Sequence, residues 1–219
     1  MYKFFSTTTI TIASAFFGAF GGGYYQAKHD DNVRLISEAQ QAAKETTKLL
    51  FESQKKLEEL HKAAQENDWD ALSKNEWSHY RSFRKEWREK LIINDFDLRR
   101  YFGINLANYV LHVDQIDLKS QPQNLSSPNP CAYTGKPDEY DLFQQADQID
   151  CYIRKRAIYN NIKKKENISE FINTLEEERK LDDLIYKNVN TYEKNIVQFI
   201  RAAEDMKSNL GAPVVLIKS

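Results

Sequence analysis

From Tyr24 to Phe102 the chain runs without a single glycine or proline. Those residues are the main interrupters of helices, so nothing in this tract forces a break. Its supply of Glu, Lys, Gln, Leu and Ala favours helical geometry at most positions. The interrupters are gathered elsewhere: Gly18, Gly21, Gly22 and Gly23 in one cluster, Pro122, Pro128, Pro130 and Pro137 in another. The fold class expected is all-α.

The segment Phe4–Tyr25 carries no charge. As a helix it would span about 33 Å, enough to cross a hydrocarbon core of ~30 Å. Its first half is diluted by Ser6, Thr7, Thr8, Thr9, Thr11 and Ser14, whereas its second half is small and aromatic and ends at Tyr24 and Tyr25. Tyrosine suits a membrane–water boundary, where an apolar ring carries a polar tip. A cleaved secretory signal is one alternative, with Lys3 as its basic end and Ala13-Ser14-Ala15 as the cleavage site. A mitochondrial presequence should be rich in arginine, yet the first arginine is Arg34. An uncleaved transmembrane anchor over residues 1–26 is the expectation.

Gly18 and Gly22 form a G-x-x-x-G pair, preceded at the same spacing by Ser14, and Ala15, Ala19 and Gly23 form a neighbouring row. Residues four apart share a helix face, so these six positions predict a nearly flat face that admits another helix's backbone. Small residues are also simply common in membrane helices. The expected partners are other membrane subunits.

Beyond the anchor, residues 27–66 read as a charged helical stalk. Ile36, Ala43, Leu50, Leu57 and Ala64 recur every seven residues, but the companion row Ala39, Thr46, Ser53 and Leu60 is half polar. Such a stripe fits one partner helix and is a poor self-associating zipper. Asn67-Asp68 is the expected break, with Asp68 as a cap.

Residues 67–118 are expected as aromatic-rich helices. Trp77, Tyr80, Phe83, Trp87 and Leu91 step by three and four along one face, interleaved with Arg81, Arg84, Lys85, Arg88 and Lys90. Lipid head groups are one possible target of these cations, but the basic positions lie off the ring stripe, which favours a buried aromatic face with a solvated back. A further helix is expected over Asp95–Val113.

Residues 119–137 read as a proline-rich extended arm, longer than an ordinary connection. The C-terminal helical region, residues 138–219, should start at an Asp138 cap, run through Tyr159, resume over Ile168–Leu210 and stop at Gly211. The apolar run Val214–Ile217 should then dock on the bundle. Cys131 lies on the arm and Cys151 on the helix after it. They can form a bridge in an oxidising compartment or remain two unrelated thiols, because separation in sequence does not fix the Cα distance.

The formal net charge of −1 offers no field for nucleic acid. His29, His61, His79 and His112 are scattered, there is no phosphate-cradling glycine loop and no nucleophile motif. No catalytic residue, metal site, cofactor or small-molecule substrate is therefore expected. Glu176-Glu177-Glu178 and Asp182-Asp183 read as solvated helix surface.

The glycine pair in Gly18-Ala19-Phe20-Gly21-Gly22, followed by Tyr24 and Tyr25 and then a Glu-, Lys- and Gln-rich helix, resembles subunit e of the mitochondrial ATP synthase. That resemblance covers only the first third of the chain; nothing in that family corresponds to Trp69–Ser219. It implies that Gly18 and Gly22 pack against a neighbouring subunit, in the inner membrane, with the bulk of the chain in the intermembrane space. The expected function is thus a non-catalytic accessory subunit of a membrane complex. The alternative is a bacterial inner-membrane-anchored or exported periplasmic helical protein.

Overall fold

A computed structural model describes residues 5–113, 131, 140–163 and 168–210, with side chains described for 30–113, 131, 140–161, 175–208 and 210. Among the described residues there are six helices and no strand: α1 (Phe5–Glu66), α2 (Trp69–Lys74), α3 (Glu76–Phe102), α4 (Ile104–Val110), α5 (Leu142–Lys163) and α6 (Ile168–Asn209). The chain is all-helical. Among the described residues no helix is long and apolar enough to cross a membrane.

Side-chain contacts fix the helix directions. Tyr101 on α3 donates to Glu38 on α1, and Asn94 reaches Thr46, so α3 runs antiparallel to α1. Ser53 meets Tyr192 and His61 meets Asp182, which sets α6 antiparallel to α1. Gln145 meets Asn195 and Arg156 meets Asp182, so α5 and α6 are antiparallel to one another as well. The four long helices thus form an up-down-up-down bundle, joined by short α2 and α4.

The row from Ile36 to Ala64 does not stand free as a stalk. Leu50, Leu57 and Ala64 are fully buried, and so are Ala39, Thr46 and Ser53 of the half-polar companion row. Packing against α3, α5 and α6 covers both rows. The polar positions suit this burial because the Ser53 hydroxyl is 2.8 Å from that of Tyr192. Neither hydroxyl is left unsatisfied, which is the condition for burying one.

Breaks follow local chemistry. Asp68 accepts from the Ala71 amide at 2.9 Å and caps α2. No helix begins at Asp95: α3 runs through it unbroken, and its buried carboxylate takes the Arg99 Nε–H at 2.6 Å. Gly103, at φ 82°, stops α3 in a conformation that side-chain-bearing residues rarely adopt. After the long connection the helical cap is Asp141, whereas Asp138 lies outside the described residues. Asp141 accepts from the Gln144 amide at 2.6 Å while Gln144 accepts from the Asp141 amide at 3.2 Å, a reciprocal capping box.

Candidate functional site

The expected helix-packing residues Ser14, Ala15, Gly18, Ala19, Gly22 and Gly23 belong to α1, but their side chains lie outside the described residues. The expected arm over 119–137 also lies outside them except for Cys131, as do Gly211 and the Val214–Ile217 run. Two polar junctions inside the bundle and one covalent clip carry the remaining chemistry.

The first junction is the seam between α3 and α5. The stripe Trp77, Tyr80, Phe83, Trp87 and Leu91 turns inward, with Tyr80, Trp87 and Leu91 buried. Trp87 stacks on Phe143 of α5 with centroids 5.1 Å apart, and Phe83 stacks behind it at 6.4 Å. Three charged residues of α5 share this apolar wall. Arg84 makes a two-pronged contact with Asp147, its Nε–H donating at 2.5 Å, and lies over the Phe143 ring at 5.0 Å. Asp150 accepts from the Trp77 indole N–H at 3.2 Å and pairs with Arg154 at 3.2 Å. Arg84 is therefore not part of a solvated basic back, although Arg81, Lys85 and Lys90 are exposed.

Electrostatics here are governed by burial. The Asp150 carboxyl is pushed up to about 6, chiefly because it is desolvated, against the opposing pull of Arg154. Burial likewise lifts Asp141 to about 6, although amides of Gln144 and His112 oppose it. Tyr80 is driven well above the usual phenol range by burial and by the charges of Asp150 and Asp147. Burial disfavours the Arg84 charge, but the Asp147 bonds outweigh it and hold the guanidinium more firmly protonated.

The second junction ties α1, α5 and α6. Arg156, only 7% exposed, lies 3.3 Å from Glu178 and 3.2 Å from Asp182, and its NH1 donates to Asn160 at 2.7 Å. His61 lies 2.8 Å from Asp182. Asn160 in turn donates to the carbonyls of Ala64 and Asn67 at 2.9 and 2.8 Å, clasping the end of α1. Desolvation would raise Asp182, but bonds from His61 and Arg156 win and hold it below the usual carboxylate range. Glu178 and Asp182 are thus structural ion-pair partners and not solvated surface.

The clip is a disulfide. Cys131 and Cys151 are joined, with Cα atoms 5.5 Å apart and Cys131 buried. The connection carrying Cys131 starts and returns at one point, because Asp141 accepts from the His112 amide at 2.9 Å. Cys151 follows Asp150 directly in α5, so the bridge lands on the same stretch of helix that forms the α3–α5 seam.

Among the described residues no group of three or more His, Cys, Asp or Glu side chains could hold a metal. Asp150 is held by the Trp77 indole and Arg154, and Asp141 by the Gln144 and His112 amides. Sequence reasoning missed Asp147, Asp150 and Arg156, and it placed Glu178, which is buried, on a solvated surface. The available signal was helical spacing: Asp147, Asp150 and Arg154 share one face of α5, and Glu178 and Asp182 one face of α6. Comparison with known proteins finds no matching family model, curated protein or solved structure.

Proposed function

We propose that the chain is a non-catalytic structural subunit, held in a membrane by the start of α1 and presenting its bundle in an oxidising compartment. The observation that carries this reading is the continuity of α1. One unbroken helix links the uncharged stretch from Phe5 to Tyr25 with Leu50, Leu57 and Ala64 in the bundle core. The buried Cys131–Cys151 bridge supports an oxidising location. In its most specific form the proposal is an accessory subunit of the mitochondrial ATP synthase, in the inner membrane with the bundle in the intermembrane space. There the Gly18–Gly22 face contacts a neighbouring membrane subunit. Lipid head groups near the exposed Arg81, Lys85 and Lys90 are a secondary contact.

A second reading, a bacterial inner-membrane-anchored or exported periplasmic protein of the envelope, is favoured by one feature. The charged helix buries both of its rows inside its own bundle and needs no foreign helix to cover them. Both readings are tested on native membranes. Wild-type protein should resist alkaline extraction. Gly18→Leu with Gly22→Leu should remain membrane-bound, since leucine is the more apolar residue, but lose its co-purifying subunits because backbones can no longer approach closely. Extraction of the wild type as a peripheral protein would overturn the anchor, and undiminished co-purification of the variant would overturn the packing role. The identity of the co-purifying subunits separates the two compartments.

A further inference from the structure

The Tyr80 hydroxyl, like the Trp87 indole N–H, is buried in the α3–α5 seam without a hydrogen-bond partner among the described residues. Tyr80 is 3% exposed. Another buried core tyrosine, Tyr192, is satisfied by Ser53. A buried hydroxyl without a partner is costly, and native cores rarely tolerate one. Tyr80 is also close enough to Asp150 and Asp147 for both charges to act on it, yet it bonds to neither. Trp77 and Arg84, about one turn to either side of Tyr80 on α3, bond Asp150 and Asp147, so the hydroxyl and the two carboxylates share one seam and supply the two to four polar partners that a buried water requires.

We propose that the seam is an internal proton-binding site, in which a buried water joins the Tyr80 hydroxyl to the carboxylates of Asp150 and Asp147. The water accepts from Tyr80 and donates to the carboxylates, leaving the Trp77 indole and Arg154 on Asp150 and the Arg84 fork on Asp147 as they stand. A proton taken up from solvent resides on Asp150, whose ionised form is already disfavoured by burial. No bond other than the O–H of that carboxyl is made.

The surrounding groups fit this assignment. On α5 the facing charges are Arg154 and Asp147, and on α3 they are Arg84 and the dipole of Trp77. From α6 the Tyr192 hydroxyl faces Tyr80. From α1 the neutral Ser53 bonds the Tyr192 hydroxyl, α2 contributes the Trp69 ring against Trp77 at 5.3 Å, and α4 turns its Tyr109 hydroxyl to α6. The two arginines and two carboxylates around this point balance, so a single proton on Asp150 leaves the seam with a net positive charge.

The test is Tyr80→Phe in the full-length protein, read by thermal unfolding and by a carboxyl-carbon NMR titration of Asp150, its signal assigned with Asp150→Asn. If the water is bound, the variant loses a hydrogen bond and dries the carboxylate. Tm should then fall by about 2–4 °C, and the Asp150 midpoint should move upward by about half a pH unit or more. If the hydroxyl is truly orphaned, deleting it removes a penalty. A Tm that rises or holds, or an unmoved midpoint, overturns the proposal. In the unsubstituted protein, magnetisation transfer from a long-lived water to the Tyr80 side chain is a separate expectation, and its absence overturns the proposal independently of how the variant folds.

Discussion

Two buried charge clusters of similar composition behave in opposite ways. At the α1–α5–α6 junction, Asp182 receives both His61 and Arg156 and its carboxyl is held low. At the α3–α5 seam, Asp150 also has an arginine and an indole N–H, yet its carboxyl rises to about 6. The difference lies in the walls. Asp182 keeps 28% of its side chain in water and collects ionic partners from two other helices, whereas Asp150 keeps 9% and is enclosed by Trp77, Tyr80 and the α3 rings. Desolvation outruns pairing when the surroundings are aromatic and closed, and pairing outruns desolvation when they are ionic and partly open. The α1–α5–α6 junction serves as a clasp, whereas the α3–α5 seam holds a carboxyl that burial lifts to about 6.

The largest expected effect comes from breaking the clasp. Arg156→Met leaves Glu178, 5% exposed, without its guanidinium and frees Asn160 from its anchor, so a loss of about 3–5 kcal/mol is expected in denaturant unfolding. Arg84→Met removes the fork on Asp147, but that arginine is already 33% open and the loss should be about half as large. Equal losses would mean that the two clusters contribute alike and that the contrast in their walls is unimportant.

Severing the clip comes next. Cys131→Ser with Cys151→Ser opens a loop of sequence separation 20, and loop-closure entropy predicts a loss of about 3 kcal/mol. Because Cys151 adjoins Asp150, the α3–α5 seam should loosen first. Faster hydrogen exchange on α5 than on α1 is the signature; uniform acceleration would show that the clip acts on the whole fold and not on the seam.

The pH dependence is smaller and its sign can be stated. Asp150 and Asp141 have folded-state values near 6, above the unfolded 3.8, so they oppose folding at pH 7 and that penalty is relieved as pH falls through 6 toward 4. Asp182 is depressed, so its contribution is present above its unfolded value and fades only as pH drops through its lower folded value. Stability should rise by about 1–3 kcal/mol between pH 7.5 and 5 and decline at lower pH. Asp150→Asn should flatten the upper limb while sparing the acid limb. A wild-type profile that falls steadily from pH 7.5 downward would contradict the assignment of the seam.

The smallest expected change is at the rim. Arg81 covers the Trp77 ring at 5.7 Å from solvent, and Arg81→Ala should cost about 0.5 kcal/mol in thermal unfolding. A much larger loss would show that the seam depends on its outer cation as strongly as on Arg84.

Much of the fold was legible along the chain. The absence of Gly and Pro from Tyr24 to Phe102 dictates helix, Asp68 is read as a cap from its type and place, and the steps of three and four from Trp77 to Leu91 identify an inward face. These are local properties: backbone geometry, capping and side-chain periodicity depend on residues within a turn or two. The candidate site was less legible. Thr46 and Ser53 weakened the coiled-coil pattern, yet they are buried because Tyr192, far along the chain, offers Ser53 its hydroxyl. Glu178 and Asp182 resembled solvated charge until Arg156 and His61 met them across the bundle. Asp95 read as a helix start, yet α3 runs through it and Arg99, one turn on in the same helix, meets its carboxylate. Periodicity states which face of a helix is apolar, but it does not name the helix that covers that face. Whether a carboxylate is paired, desolvated or free depends on groups brought close only by packing, and this the tertiary structure alone decided.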